Sequence, residues 1–399
     1  MKALVRSFTP TYDSPASISS VRKHSSPFAV TSSSPSHTKR LKSPWSSRKR
    51  ATALSYQQWR RAFTPEGRLR RGGEKFLKAV RSRGVDHSIR SEVWPFLLGV
   101  FDLRSTEEER AIQRMQQRTE YENLRRQCQR RNFLRESPQN SSVTDSSRIG
   151  ENFSTWRRII RADALRDNWD RLPYTPSVSE SAASRVAEAV DLRGYEHLEP
   201  VRIIHAARLV AILEAYALYD PETGYCQGMC ELLSPMLCVF AENHDAFWCF
   251  AHFMKRGRRN FRIDESGIRR QLAMVAKIIR WKDGELYRHL EGMGGGDCVF
   301  AYRMVLVMMR RELTCEQSIG LWEVVWAEEA AGRAEDLVVY LVAAAVMQRR
   351  RRIVEMYCSL DEVLRECNGM TGHLDVWKLL DDARGLVVSL RHKMRKSFG

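Results

Sequence analysis

Two short stretches of this 399-residue chain hold polar side chains at spacings that let them act together on a ligand. The first is Ile160-Arg161-Ala162-Asp163-Ala164-Leu165-Arg166. Asp163 and Arg166 stand three apart and so are neighbours on one helical face, where the carboxylate can hold the guanidinium in place. Ile160, six residues before Arg166, is expected to anchor the apolar side of the segment. The second stretch is Gly224-Tyr225-Cys226-Gln227-Gly228-Met229, between the Asp220-Pro221 turn and the apolar run Leu232 to Phe240. Here an amide is displayed between glycines, which let backbone come close to a ligand, and the amide can donate to one oxygen while accepting from another. Taken singly, each stretch also has a plain structural reading. An exposed ion pair contributes under about 1 kcal/mol, and a Gly-rich segment is equally a turn ahead of a core helix.

The common self-contained enzyme signatures are missing: there is no G-x-x-x-x-G-K-[ST] loop, G-x-S-x-G elbow, H-E-x-x-H or complete G-x-G-x-x-G. Gly292 to Asp297 is glycine-rich but follows no strand, so a flexible connection between helices is expected there rather than a phosphate cradle. Nine scattered cysteines without a C-x-x-C pair read as a reduced, intracellular pattern. Cys226, Cys230, Cys238, Cys249 and His252 lack the tight paired spacing of structural zinc and are expected to be mostly buried thiols, so no metal site is assigned. The run Arg349 to Arg352 reads as the basic, solvated C-terminal turn of an apolar helix, which the helix dipole favours.

The elements that must position these residues read almost throughout as helices. Tyr56, Trp59 and Phe63 recur at helical intervals before a turn at Thr64-Pro65-Glu66-Gly67. Short amphipathic helices are predicted at 76–83 and 89–98, the second entered through Asp86 or Ser88, stopped at Gly99 and kinked or broken at Pro95. A long, sparsely apolar, solvated helix covers Glu107 to Arg131, and 136–150 reads as a flexible loop. A strong helix at 200–219 puts Ile203, Ala206, Leu209, Val210, Leu213 and Tyr216 on one face and must stop before Pro221. Further helices are predicted at 231–241, 245–255, 267–282, 298–311, 316–327, 336–348, 360–367 and 372–395. Few segments alternate with period two, so the fold class is all-α.

Of a formal net charge of +17, the first 50 residues supply +9, with fourteen Ser and a single acid, Asp13. Such a start reads as a disordered basic arm able to sit on phosphates or anionic lipid, with an organelle transit peptide as the alternative. Nucleic acid is not expected as the partner, because the excess charge is concentrated in the arm and no reading module is present. The longest apolar run, Leu337 to Met347, is 11 residues, well short of the roughly 20 needed to span a bilayer.

The two polar stretches together resemble the TBC domain of Rab GTPase-activating proteins, whose signatures are I-x-x-D-x-x-R and Y-x-Q-G-M. Both occur here in order, and the flanks are similar too. GVDHSIRSEVWPFLLG at 84–99, HAARLVAILEAYALYDPETGYCQGMCELLSPML at 205–237, FRIDESGIRRQL at 261–272 and RRELTCEQSIGLWEVVWA at 310–327 all look like that family, plant members most. The resemblance implies an all-α, multi-helix TBC domain over 84–348. It is preceded by a disordered Ser-rich basic arm at 1–53 and a helical lead-in at 54–83, and followed by a C-terminal helical segment at 349–399.

The resemblance implies further that Arg166 and Gln227 are the two residues inserted into the nucleotide site of a GTP-bound Rab. Asp163 would orient Arg166, while Tyr225 and Gly228 support the Gln227 loop. Arg90 and Trp94 match positions read as structural, a buried Arg and its aromatic packing partner. GTP and Mg²⁺ would belong to the partner, so the chain has no cofactor of its own and is an activator rather than an enzyme in its own right. The expected setting is the cytoplasm, peripheral to endomembranes, in vesicle trafficking. The alternative is a TBC scaffold that binds GTPases without accelerating hydrolysis. Asp167 stands where many members have Thr, and an acid there is placed to compete for the guanidinium. Cys230 and Glu231 stand where plant-type members usually read Ser-Asp, just after the Gln227 loop.

Overall fold

The computed structural model describes residues 52–133, 145–167, 178–262, 264–333 and 336–397. The basic arm expected at 1–53 lies almost wholly outside them, as does the first part of the loop expected at 136–150. The described residues form helices and short 3-10 turns, with isolated bridges but no β-strand among them. That is the all-α class the sequence predicts.

The lead-in comprises α1 (Tyr56–Arg60), capped by Ser55, and α2 (Glu74–Arg83). Next comes α3 (Arg90–Leu98), entered through a turn capped by Asp86 and ended by Gly99 at φ 76°. The expected break does not occur: α3 runs continuously through Pro95, its sixth residue, which leaves the helix one backbone donor short. α4 (Glu107–Phe133) is long and mostly exposed, though Tyr121 and Cys128 are buried from it. α5 (Asp145–Leu165) begins inside the predicted loop, since Asp and Ser open helices as readily as they make loops. After α6 (Glu180–Glu188), α7 (Pro200–Tyr219) runs through the centre.

α7 buries more than the one predicted face: Ala207, Ala211, Ile212, Ala215 and Ala217 are buried as well. The small residues let several helices come close at once, and α7 packs against α4, α5, α6, α8 (Met229–Leu237) and α9 (Asn243–Gly257). Its one buried acid, Glu214, takes Arg157 Nε at 2.9 Å and Arg125 Nη1 at 3.2 Å, with Arg161 Nη2 at 3.5 Å. Two of these arginines are on α5, so a desolvated ion cluster fixes that helix against the centre.

The C-terminal half contains α10 (Ser266–Lys282), α11 (Gly284–Gly292) and the short α12 (Tyr302–Leu306). It continues with α13 (Cys315–Ala330), α14 (Leu337–Gln348), α15 (Arg350–Met356), α16 (Leu360–Asn368) and α17 (Val376–Ser397). The single helix predicted at 298–311 is instead a 3-10 turn, α12, and a bend with positive φ at Met308 and Met309. The run Arg349 to Arg352 caps α14 and starts α15, and it is ion-paired rather than merely solvated: Arg350 meets Asp283 and Arg352 meets Glu366. α13 returns to pack on α2 and α3 at the start of the fold.

Candidate functional site

The site begins where α5 ends. Ile160, fully buried, seats the last turns of α5 in the core as its spacing suggests. Four residues earlier Trp156 lies over the start of the second motif, and three residues later Asp163 stands at the rim. Arg166 is the first residue beyond the helix, its amide bonding to the Asp163 carbonyl at 3.2 Å. Its guanidinium donates to Asp163 Oδ1 at 2.8 Å and to the Ala162 carbonyl at 3.0 Å. The Arg166 side chain is 66% exposed while that of Asp163 is only 9% exposed, so a nearly buried acid presents a solvent-facing cation.

The second oxygen of Asp163 accepts from the Tyr225 hydroxyl at 2.8 Å. Tyr225 is 4% exposed, and burial, with Cys230 and Asp163 nearby, pushes its phenol well above the usual tyrosine range, which keeps it protonated and donating. One carboxylate therefore joins the two motifs. Gln227, two residues beyond Tyr225, is exposed, and its side chain makes no hydrogen bond among the described residues. The loop that displays it depends on its glycines. Gly224 has φ 59°, and a Cβ there would meet the Trp156 ring at 2.2 Å. Gly228 has φ 105° and would bring a Cβ to 3.3 Å from Val307. Neither position tolerates an ordinary L side chain without moving.

The acid expected to compete for the guanidinium does not do so. The Asp167 carboxylate accepts from Ser234 Oγ at 2.6 Å and lies 3.3 Å from His205 Nε2, directed into the helix layer and committed to those partners. Glu231 forms a two-pronged, partly exposed pair with Arg311, and Cys230 is buried, so both departures after the Gln227 loop are tied into the fold. Cys249 is buried and Cys226 and Cys238 are partly buried. Among the described residues no group of three or more His, Cys, Asp or Glu side chains is gathered as a metal site would need.

Similarity to known proteins places the chain in a family. The Rab-GTPase-TBC domain model matches residues 204–354, a span that holds Tyr225 and Gln227. Rab GTPase-activating protein 22 of Arabidopsis thaliana is 47% identical over 93% of this chain and 86% of its own length. The chain belongs to the Rab-GTPase-TBC family. TBC1 domain family member 17 of Homo sapiens is 28% identical over 84% of this chain, which spans 46% of that longer relative. Among solved structures, the Ypt/Rab-GAP domain of Gyp1p shares the fold at a TM-score of 0.61 and 17% identity, covering 82% of this chain and 95% of its own. Asp163 and Arg166 lie ahead of the TBC model's span, brought to it by the Tyr225 bond.

Arg90 and Trp94 lie apart from this rim, buried in the TBC fold as expected, but their common partner is a third residue. Glu323, 0% exposed, accepts from Arg90 Nε at 2.8 Å, Trp94 Nε1 at 3.0 Å and the Val85 amide at 3.1 Å. Burial pushes its carboxyl up to about 7, against the pull of those donors. The sequence reading missed Glu323, Trp156, His205 and Ser234. A signal existed for two of them. Glu323 is an acid inside an otherwise apolar run, and Trp156 precedes Ile160 and Asp163 at helical intervals of four and seven.

Proposed function

We propose that this chain activates a Rab-type GTPase by supplying two side chains in trans, Arg166 and Gln227, to the partner's nucleotide site. The observation that carries the reading is the single Asp163 carboxylate, which holds Arg166 on one oxygen and the Tyr225 of the glutamine loop on the other. A surface ion pair has no need of a buried tyrosine from another motif, whereas a two-residue catalytic device needs its parts at a fixed separation.

Phosphoryl transfer spreads negative charge over the γ-phosphate oxygens and the leaving oxygen. The permanently charged, planar guanidinium of Arg166 would stabilise that charge without proton exchange. An arginine supplied in trans is worth about 10³ to 10⁵ in rate, or roughly 4 to 7 kcal/mol of barrier. The Gln227 amide, able to accept from water while donating to an oxygen, would hold the attacking water in line. GTP and Mg²⁺ are then the partner's, and the chain contributes no cofactor. Such an activator works at the cytoplasmic face of endomembranes in vesicle trafficking, and the basic arm is suited to anionic lipid there.

The test is single-turnover GTP hydrolysis by a panel of purified Rab GTPases with the wild-type chain, Arg166→Ala and Gln227→Ala. Acceleration of some Rabs that falls by about 10³ or more in Arg166→Ala, with melting nearly unchanged, supports the reading. Binding without acceleration across the panel would make the chain a scaffold and overturn it.

A further inference from the structure

Arg166 is bracketed by two acids, and Asp163 accounts for only one of them. The helical bonding of α5 runs out here: Asp167 N reaches the Ala164 carbonyl at a long 3.4 Å. A terminal turn so weakly bonded frays unless something else holds it. Asp167 supplies that hold, because its carboxylate accepts from Ser234 Oγ at 2.6 Å. His205 Nε2 lies 3.0 Å from the same hydroxyl and 3.3 Å from Asp167 Oδ2. Since the hydroxyl proton of Ser234 goes to Asp167, the assignment that satisfies all three groups puts a hydrogen on His205 Nε2 for Ser234 to accept. The cluster is dry: the Asp167 and His205 side chains are 7% and 11% exposed, and Ser234 is buried.

The placement of these partners matters more than their burial. Ser234 is on α8, the helix into which the Gln227 loop runs, and His205 is on α7. Asp163 reaches Tyr225 before Gln227, and Asp167 reaches Ser234 after it. The two carboxylates, one on each side of Arg166, thus grip the glutamine-bearing segment at both of its ends. We infer that Asp167, clamped by Ser234 and His205, is a positioning residue that fixes the backbone from which Arg166 reaches the partner's nucleotide. This rests on the role proposed above for Arg166. A shift of about 1 Å in a catalytic group costs about 10²-fold in rate, so a hold on the backbone beside the finger governs rate rather than docking.

The experiment titrates a responsive Rab with the wild-type chain, Asp167→Ala, Asp167→Asn and Ser234→Ala in single-turnover GTP hydrolysis. Alongside it, hydrogen–deuterium exchange is followed over residues 158–167 in the free chain. Asp167→Ala should lower the maximal rate about 10- to 100-fold while the half-saturating concentration moves by less than about twofold. Asp167→Asn keeps an oxygen for Ser234 and should recover most of the rate, and exchange should quicken in both Asp167→Ala and Ser234→Ala. An unchanged maximal rate overturns the inference. So does a rise in half-saturation that tracks a fall in melting temperature, which would make the cluster merely structural. If the wild-type chain accelerates no Rab, the proposed function fails, and exchange alone decides: unaltered exchange removes the clamp, faster exchange retains it as a hold on this turn.

Discussion

Asp163 gives one oxygen to a guanidinium that faces solvent and the other to a phenol that does not. The sequence made the two ends of this chain of bonds legible, because an I-x-x-D-x-x-R and a Y-x-Q-G-M are uncommon enough to imply roles for Arg166 and Gln227. It did not reveal that Tyr225 bonds Asp163, since 62 residues separate them and no periodicity spans such a gap. Tyr225→Phe tests the link with the ring left in place. It strands one Asp163 oxygen in a nearly dry site, at a cost of about 1 to 3 kcal/mol. We expect GTPase activation to fall about tenfold or more with binding of the GTPase nearly retained, read from rate and half-saturation in one titration. The same scale explains why Asp167 misled the sequence reading: adjacency suggested competition for Arg166, but the partners that decide its direction, Ser234 and His205, come from α8 and α7.

At the scale of elements, Gly224 and Trp156 form a contact in which the absence of a side chain is the requirement. Gly224→Ala would place a methyl within the Trp156 ring and force an L residue to φ 59°, so the loop must move. The expected result is a loss of activation of about 10²-fold with far smaller change in helical circular dichroism. Adding Trp156→Leu to that variant should restore part of the rate by making room. Helix positions themselves were largely legible, and α7 was bounded correctly at Tyr219 because Pro221 forbids continuation. Its burial on more than one face was not, because a helix packed by five neighbours shows no single stripe for a periodicity to detect. The segment 298–311 failed for a different reason: its apolar residues suit a helix, yet Met308 and Met309 bend at positive φ so that the chain can turn into α13, a tertiary demand no local pattern records.

For the whole molecule, the decisive groups are buried acids. Arg90 and Glu323 are almost fully desolvated, so Arg90→Met, which leaves Glu323 facing two weaker donors, should destabilise the fold by about 3 to 5 kcal/mol, seen as a lower urea midpoint. Activation at low temperature should survive, because this pair lies apart from the Asp163–Arg166 rim. A second acid sets a pH dependence. Glu312 has one carboxylate oxygen without a hydrogen-bond partner, and burial pushes its carboxyl up from an ordinary 4.5 to about 7. The folded chain then keeps a proton that the unfolded chain has released, so the contribution of this group to stability is greatest below about 4.5 and declines as pH rises towards about 7. Glu312→Gln removes this share of the linkage and should make the decline shallower by on the order of 3 kcal/mol at most, leaving the share of Glu323, whose carboxyl is also pushed up to about 7, measured by urea melts across pH 5 to 7.5.

The Arg90 to Glu323 bond also has a temporal meaning. Its two ends are 233 residues apart, and the neighbouring Arg81 to Glu328 pair closes a loop of 247. On the ribosome α2 and α3, which precede α13 in the chain, therefore wait for it to follow. Until α13 has emerged, Trp94 has no acceptor and the apolar faces of α2 and α3 lack the surface that covers them, while α4 to α9 can already assemble around α7. Such a far-reaching closure is slow, because the ends must find each other across a long loop. In the interval between α9 and α13 the nascent chain holds a finished centre beside an open seam, and it is the seam that a chaperone would have to guard.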